Sequence, residues 1–205
     1  MYLIFLDIDG VLNNAQHQRK GVGGRGRAII PGIENRTASQ IAPENVIILK
    51  EIIKEIKWPG IGAPNWVDDV GNDVKIVVSS AWRIGHSVEQ LDYMLESHGI
   101  WTSVIDKTSS NWPLDEYKYV SEDLRTRQVA EWFADFPIPE GEEIEGFIVI
   151  DDSHECYPNV HKHFLHTTWD LGLTEEHIKQ AAEIFALPIE YDGMGVPYGL
   201  IEDGE

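Results

Sequence analysis

The first chemically suggestive feature is a pair of carboxylates at the end of an apolar run. Residues 2–6 are apolar, and Asp7, Asp9 and Gly10 follow. Side chains two residues apart on an extended chain point to the same side, and glycine lets the backbone turn away. The pair alone is also typical of a solvated turn, so its chemistry depends on what else lies nearby.

Polar pairs also end two later apolar runs, with Ser79 and Ser80 after residues 75–78 and Asp151 and Asp152 after residues 146–150. If these run ends meet, up to four carboxylates converge, and they repel one another strongly without a cation. Carboxylate oxygens suit a hard ion such as Mg²⁺. The run ends carry no histidine or cysteine, which disfavours zinc.

The elements needed to position these residues alternate along the chain. The three apolar runs have the length and composition of buried strands. Apolar periodicity and end signals predict helices over 43–56, 87–97, about 122–133, and 174–185. This order predicts right-handed crossovers and a three-layer α/β/α, Rossmann-like fold with a mostly parallel sheet. Ligands of such sheets bind at the carboxyl ends of the strands, where the polar pairs fall.

Helix ends carry their own signals. Ser87 with Gln90 has the form of a capping box. Thr174 with His177 lacks the usual acidic or amide partner, although two glutamates follow Thr174 and suit the helix dipole. Two buried-type tryptophans, Trp82 and Trp132, are assigned to core packing.

The length and net charge of the chain limit its domain number and the functions it can have. The 205 residues favour one domain spanning 1–205. A net charge of −19 argues against an extended nucleic-acid track or attraction to anionic lipid. The single cysteine, Cys156, cannot form an intramolecular disulfide, and no run is long enough to span a bilayer, so we expect a cytoplasmic protein without a membrane partner.

One local segment departs from the acidic composition. Four of the sixteen basic residues lie between Arg19 and Arg27, in a glycine-rich stretch. Within residues 13–43, this stretch is either a small cap or substrate loop or a surface loop without a role. Residues 188–205, rich in glycine and proline, are predicted to form an irregular tail or short hairpin.

The sequence resembles the haloacid dehalogenase (HAD) superfamily of phosphotransferases. The resemblance rests on three motifs in order: residues 7–12 (DIDGVL), 77–80 (VVSS) and 150–152 (IDD). It is closer to the branch named for the phosphatase domain of Swiss Army Knife RNA-repair proteins, through 79–83 (SSAWR), an arginine-led helix from Arg125, and 163–167 (HFLHT). It covers roughly residues 2–185 and implies a HAD fold with at most a small cap.

The resemblance also implies roles for the carboxylates. Asp7 would be the nucleophile that forms an aspartyl-phosphate, and Asp9 the general acid and then base. Mg²⁺ would be held by the Asp7 carboxylate, the backbone carbonyl of Asp9 and Asp151, with Asp152 in support.

Hydroxyl and cationic groups would hold the phosphoryl group. Ser79, or Ser80 if the strand ends later, would donate to a phosphoryl oxygen. Arg125 is preferred over Arg127 as the clamping cation, because the spacing of later apolar residues fits an arginine-led helix. Arg83 either grips substrate phosphate or partners nearby groups structurally.

The implied activity is a Mg²⁺-dependent phosphomonoesterase that acts on nucleotides or on terminal 3′-phosphates of nucleic acid. The first alternative is a phosphatase of a sugar phosphate or other small metabolite, which suits the charge of −19. A phosphotransferase would share the first half-reaction. A third alternative is a catalytically silent binding module, although both Asp7 and Asp9 are present.

Overall fold

The computed structural model describes residues 1–19, 41–59, 73–109, 124–138, 141–153, 161–192, 195–197 and 200. Within them, five strands form one parallel sheet in the order β3-β2-β1-β4-β5. The strands are β1 Tyr2–Leu6, β2 Val74–Val78, β3 Val104–Lys107, β4 Gly146–Asp151 and β5 Phe164–His166. The predicted parallel α/β fold is confirmed.

Helices cover both faces of this sheet. They are α1 Ala15–Arg19, α2 Pro43–Lys57, α3 Val88–Ser97, α4 Leu124–Asp135 and α5 Glu175–Phe185. Alternate residues of β1 enter opposite cores: Ile4 and Leu6 pack with residues of α2, α3 and α5, whereas Leu3 and Phe5 pack with α4. This alternation along a central strand produces the three layers.

The helix ends show how local sequence fixes the elements. Ser87 and Gln90 form the predicted capping box at the start of α3. At α5, where the usual acidic or amide partner is missing, Nδ1 of His177 accepts a hydrogen bond from the backbone N–H of Thr174 at 2.8 Å. A neutral imidazole thus takes the place of the usual carboxylate or amide.

Three short elements were not predicted. They are β3, β5 and α1, of four, three and five residues. The edge strands end in charged or polar residues and have little apolar periodicity, so pairing with their neighbours decides their conformation. Helix α4 begins at Leu124, and the predicted start at residue 122 lies outside the described residues.

Most of the 13–43 segment, including positions 20–27 of the basic stretch, lies outside the described residues. In the described part of the tail, Tyr191 pairs with Pro197 in an antiparallel bridge, and Val196 and Leu200 are buried in the core beneath α4. Within the described ranges, no helix has the length and apolar character needed to cross a membrane.

Candidate functional site

Three carboxylates meet at the carboxyl edge of the sheet. Asp7 directly follows β1, Asp151 ends β4, and Asp152 comes next. One ligand oxygen from each lies within 4.8 Å of the others. Asp7 is 3% exposed and Asp151 is fully buried, whereas Asp152 is half-buried. Because β1 and β4 are neighbouring parallel strands, their ends necessarily bring these groups together.

Arg125, in the first turn of α4, places its guanidinium beside this cluster. Its Nη1 lies 3.6 Å from Oδ1 of Asp7 and 3.5 Å from Oδ2 of Asp151. The same nitrogen donates a hydrogen bond to the backbone carbonyl of Ser79 at 2.6 Å. Arg127, two residues later, is exposed. Of the two arginines considered from the sequence, only Arg125 lies at the cluster in this structure.

Burial dominates the electrostatics of the cluster. Desolvation, followed by the charge of Asp151, raises the pKa of Asp7 to about 8, although Arg125 and a hydrogen bond from Ser80 oppose the rise. Burial and Asp151 also raise the pKa of Asp152. A carboxyl group with such a pKa is mostly protonated at neutral pH, and it needs a further cation to be an anion there.

The donor set therefore fits a hard divalent cation. When the three carboxyl groups are ionised, they face one guanidinium group among the described residues, which leaves excess negative charge in a desolvated place. All the side-chain ligand atoms of the group are oxygens, as Mg²⁺ prefers.

The two serines after β2 have different surroundings. The backbone N–H of Ser79 donates to the carbonyl of Leu6, which places Ser79 beside the end of β1. Its hydroxyl oxygen is buried and has no hydrogen-bond partner among the described residues. Ser80, also buried, donates to Asp7 and accepts from the backbone N–H of Trp82. Of the two serine hydroxyl groups, that of Ser79 is thus the one without a hydrogen-bond partner in the described part of the chain.

Asp9 is held apart from the cluster of three. Its Oδ1 accepts a hydrogen bond from Nδ2 of Asn13 at 2.6 Å. Its Oδ2 accepts from the indole Nε1 of Trp82 at 3.0 Å. The Trp82 contact was missed from the sequence, where a tryptophan close to a strand end was assigned to the core. The sequence feature that could have predicted this contact is the position of Trp82, two residues after the serine pair that follows β2, the strand next to β1.

Arg83 is fully buried, and its side chain contacts protein groups. Its guanidinium donates to the backbone carbonyls of Ser79, Ser80 and Ser109 at 2.9, 2.8 and 3.1 Å. It also donates to Oε1 of Gln128 at 2.8 Å. These hydrogen bonds hold the serine loop from behind and tie it to α4, as the structural alternative for Arg83 requires. The other alternative, contact with substrate phosphate, stays a prediction.

The turn after β1 explains why glycine follows Asp9. Gly10 has a φ of +72°, and a Cβ there would overlap the carboxylate of Asp152. The carbonyl of Gly10 accepts from the hydroxyl of Thr167 at 2.8 Å, and the N–H of Thr167 donates to the carbonyl of Asp151. Thr167 thereby joins the turn to β4, a link that the sequence did not reveal.

Comparison with known proteins gives one match. A family model described as the HAD domain in Swiss Army Knife RNA repair proteins matches residues 3–178. No match was found among curated proteins or among solved structures. The matched range includes every residue of the site described above.

Proposed function

This chain belongs to the family of HAD domains in Swiss Army Knife RNA repair proteins, and from that premise we propose that it is a Mg²⁺-dependent phosphomonoesterase acting through an aspartyl-phosphate. Membership supports a HAD-type hydrolase, a phosphatase. The observation that carries the proposal is the buried Asp7 beside Asp151 and Arg125, because this arrangement joins a nucleophile to a carboxylate that could hold a cation and to a guanidinium that could hold a phosphoryl anion.

In the first step, a carboxylate oxygen of Asp7 attacks phosphorus, and an O–P bond forms as the bond to the leaving oxygen breaks. Asp9 gives its proton to that oxygen. In the second step, the Asp9 carboxylate takes a proton from water as the water oxygen attacks phosphorus. The bond between phosphorus and Asp7 then breaks, which restores both aspartates and releases inorganic phosphate.

The remaining residues bind and orient the phosphoryl group. Arg125 is placed to balance charge on its oxygens, and the unpartnered hydroxyl of Ser79 to donate to one of them. Asp7, the carbonyl of Asp9, Asp151 and Asp152 would hold Mg²⁺. The ion would offset the charge of nucleophile and phosphate, which keeps Asp7 ionised at neutral pH.

We propose nucleotides or 3′-phosphorylated nucleic-acid ends as substrates, since RNA repair appears in the description of the matched family. The net charge of −19 supports a short or monomeric substrate bound through its phosphate, and equally supports the alternative of a small phosphorylated metabolite. We propose a single domain over residues 1–205, with any substrate-selecting loop within 13–43.

The first experiment is phosphate release from the full chain with Mg²⁺ and with EDTA. The panel contains 5′- and 3′-mononucleotides, 3′-phosphorylated oligonucleotides and sugar phosphates. Mg²⁺-dependent release concentrated on nucleotides or 3′-ends supports the proposal. Release concentrated on sugar phosphates supports the metabolite alternative, and no release from any of them contradicts a phosphatase.

Replacing Asp7 tests the covalent step directly. Asp7→Asn should abolish both turnover and the acid-stable phosphoenzyme trapped by rapid quenching of a labelled substrate, because an amide cannot form the acyl-phosphate. Asp9→Asn is the matched control, since it should retain Mg²⁺ binding and slow turnover by about 10²-fold or more. Wild-type turnover in Asp7→Asn would refute the mechanism.

A further inference from the structure

Trp82 contacts the carboxylate that the proposed mechanism uses as acid and base. The residue lies in a short 3₁₀ turn, Ala81–Arg83, directly after the serine pair. Its indole Nε1 donates to Oδ2 of Asp9 at 3.0 Å, and its side chain is largely buried. An indole N–H is a donor only, so the contact has one direction whatever the protonation of its surroundings.

The two hydrogen bonds to Asp9 go to different oxygens of its carboxyl group. A carboxylate offers about four lone-pair positions on its two oxygens. Trp82 occupies one on Oδ2 and Asn13 occupies one on Oδ1. Since no other donor among the described residues contacts this carboxyl group, one position on each oxygen is left to carry the transferred proton. Two donors on different oxygens also fix the plane of the carboxyl group, which a single contact would leave free to rotate.

The elements that carry the two donors are independent. Asn13 belongs to the same turn as Asp9, and its own Oδ1 accepts from the backbone N–H of Gly10. Trp82 instead comes from the end of β2, on a loop held by the buried Arg83. The Trp82 contact therefore ties the acid on one strand end to the phosphate-binding loop on the next.

We propose that Trp82 is a positioning residue, whose indole N–H orients the Asp9 carboxyl group for proton transfer to the leaving oxygen. The inference rests on the proposed phosphatase function and deepens it. It assigns to the SSAWR segment a task besides phosphate contact, namely setting the orientation of the acid. In the reaction written above, Trp82 keeps its own proton, and only Asp9 exchanges one.

A second tryptophan in the chain provides a matched control. Nε1 of Trp132 donates to Oδ2 of Asp106 at 2.8 Å, and Trp132 is also largely buried. Asp106 lies in edge strand β3, and neither residue belongs to the site. Replacing either tryptophan with phenylalanine keeps an aromatic ring and removes one N–H donor to one aspartate.

The kinetic test compares leaving groups that differ in their need for a proton. We expect Trp82→Phe to lower kcat/KM for alkyl phosphates by about 10- to 100-fold, because a misplaced acid cannot protonate an alkoxide. The loss for p-nitrophenyl phosphate should be small, since its phenolate leaves without a proton. Using kcat/KM confines the comparison to steps up to formation of the aspartyl-phosphate.

Trp132→Phe should lower kcat/KM only slightly, and by the same factor for alkyl phosphates and for p-nitrophenyl phosphate. An equal loss on both substrates in Trp82→Phe would overturn the inference, because a merely structural defect does not distinguish leaving groups. Retained turnover of p-nitrophenyl phosphate shows at the same time that the variant is folded. Wild type inactive on every phosphate ester would refute the proposed function and the inference with it, whereas an active wild type with an unselective Trp82→Phe refutes the inference alone.

The contact itself can be tested without turnover or a change at Trp82. In the ¹⁵N-tryptophan spectrum, we expect Asp9→Ala to shift the indole N–H signal of Trp82 and to speed its hydrogen exchange, while the signal of Trp132 stays in place. Asp106→Ala should do the reverse. A Trp82 signal unmoved by Asp9→Ala would overturn the inference.

Discussion

At the level of single residues, Arg125 and Arg127 have different surroundings although they lie two positions apart on helix α4. Arg125 is 17% exposed in its side chain and lies between two carboxylates. Arg127 lies two residues later on the same helix, and is exposed. Because a helix turns about 100° per residue, neighbours two apart face different directions.

Removing the two guanidinium groups should therefore have different effects. We expect Arg125→Ala to lower kcat/KM by about 10²- to 10³-fold, or roughly 3–4 kcal/mol, because it removes a charged donor to the transferring group. Arg127→Ala, the control on the same helix, should remain close to wild type. Steady-state kinetics on the best substrate decides, and equal losses in both variants would contradict the assignment of Arg125.

The raised pKa of Asp7 predicts a pH dependence of stability. The folded value, about 8, lies above the ordinary 3.8, so folded Asp7 keeps a proton that the unfolded chain has released between these pH values. This contribution is complete below about pH 4 and is lost as the pH rises through about 8. In EDTA, Tm should fall over this window more steeply for wild type than for Asp7→Asn.

Mg²⁺ should reverse that decline, because a bound cation favours ionised Asp7. The rise in Tm on adding Mg²⁺ should thus be larger at pH 8 than at pH 5, and smaller in Asp7→Asn at both. Parallel pH profiles for wild type and Asp7→Asn in EDTA would contradict the raised pKa.

The sequence alone predicted that the carboxylates would meet, but it did not predict the hydrogen-bond partners of the donor side chains. Asp7, Asp151 and Asp152 follow predicted strands, and parallel pairing brings strand ends together, so their meeting follows from sequence order. Arg83 shows the limit. Its spacing permits either substrate contact or a structural role, and only the folded loop shows that its hydrogen bonds go to backbone carbonyls.

At the level of elements, the turn between β1 and α1 is tightly constrained. Its geometry requires a residue with left-handed backbone conformation at position 10. It also requires that no Cβ occupies the space taken by the carboxylate of Asp152. Gly85 offers a comparison, because its φ is +82° but nothing lies where a Cβ would be placed. Replacing either glycine with alanine strains the backbone, because both have a positive φ. Only at Gly10 would the new Cβ also overlap the carboxylate of Asp152.

Gly10→Ala should therefore lower both stability and Mg²⁺ affinity, because it adds a displaced carboxylate to the backbone cost of about 1–2 kcal/mol. Gly85→Ala should show the backbone cost alone. Urea unfolding and Mg²⁺ titration measure the two quantities. If Gly85→Ala weakened Mg²⁺ binding as much as Gly10→Ala, the contact with Asp152 would not be the cause.

The long elements were predictable, and the short ones were not. Helices α2, α3 and α5 begin within one residue of their predicted starts, since proline, serine and threonine mark those ends locally. Strands β3 and β5 depend on pairing with β2 and β4, which no local pattern reveals. The same reason explains why the Thr167 link to Gly10 was missed, because Thr167 directly follows β5.

At the level of the whole molecule, net charge predicts how salt affects substrates. A chain of −19 repels a polyanion, and salt screens that repulsion. We expect kcat/KM for a 3′-phosphorylated oligonucleotide to rise about two- to fivefold between roughly 50 and 200 mM salt. A mononucleotide should respond less, and it is the control. A steep fall for the oligonucleotide would instead indicate a basic nucleic-acid track.

The central position of β1 has a consequence for how the chain acquires its structure. Tyr2 pairs with Val74 on one side and with Gly146 on the other, so β1 is flanked by two strands that both lie far downstream in the chain. Such separations give a high contact order, and loop closure must precede the pairing that rewards it. During translation, the apolar 2–6 segment lacks its partner β2 until residue 78 has been synthesised, and its second partner β4 until residue 151 has been synthesised. It is therefore a segment that we expect a chaperone to bind.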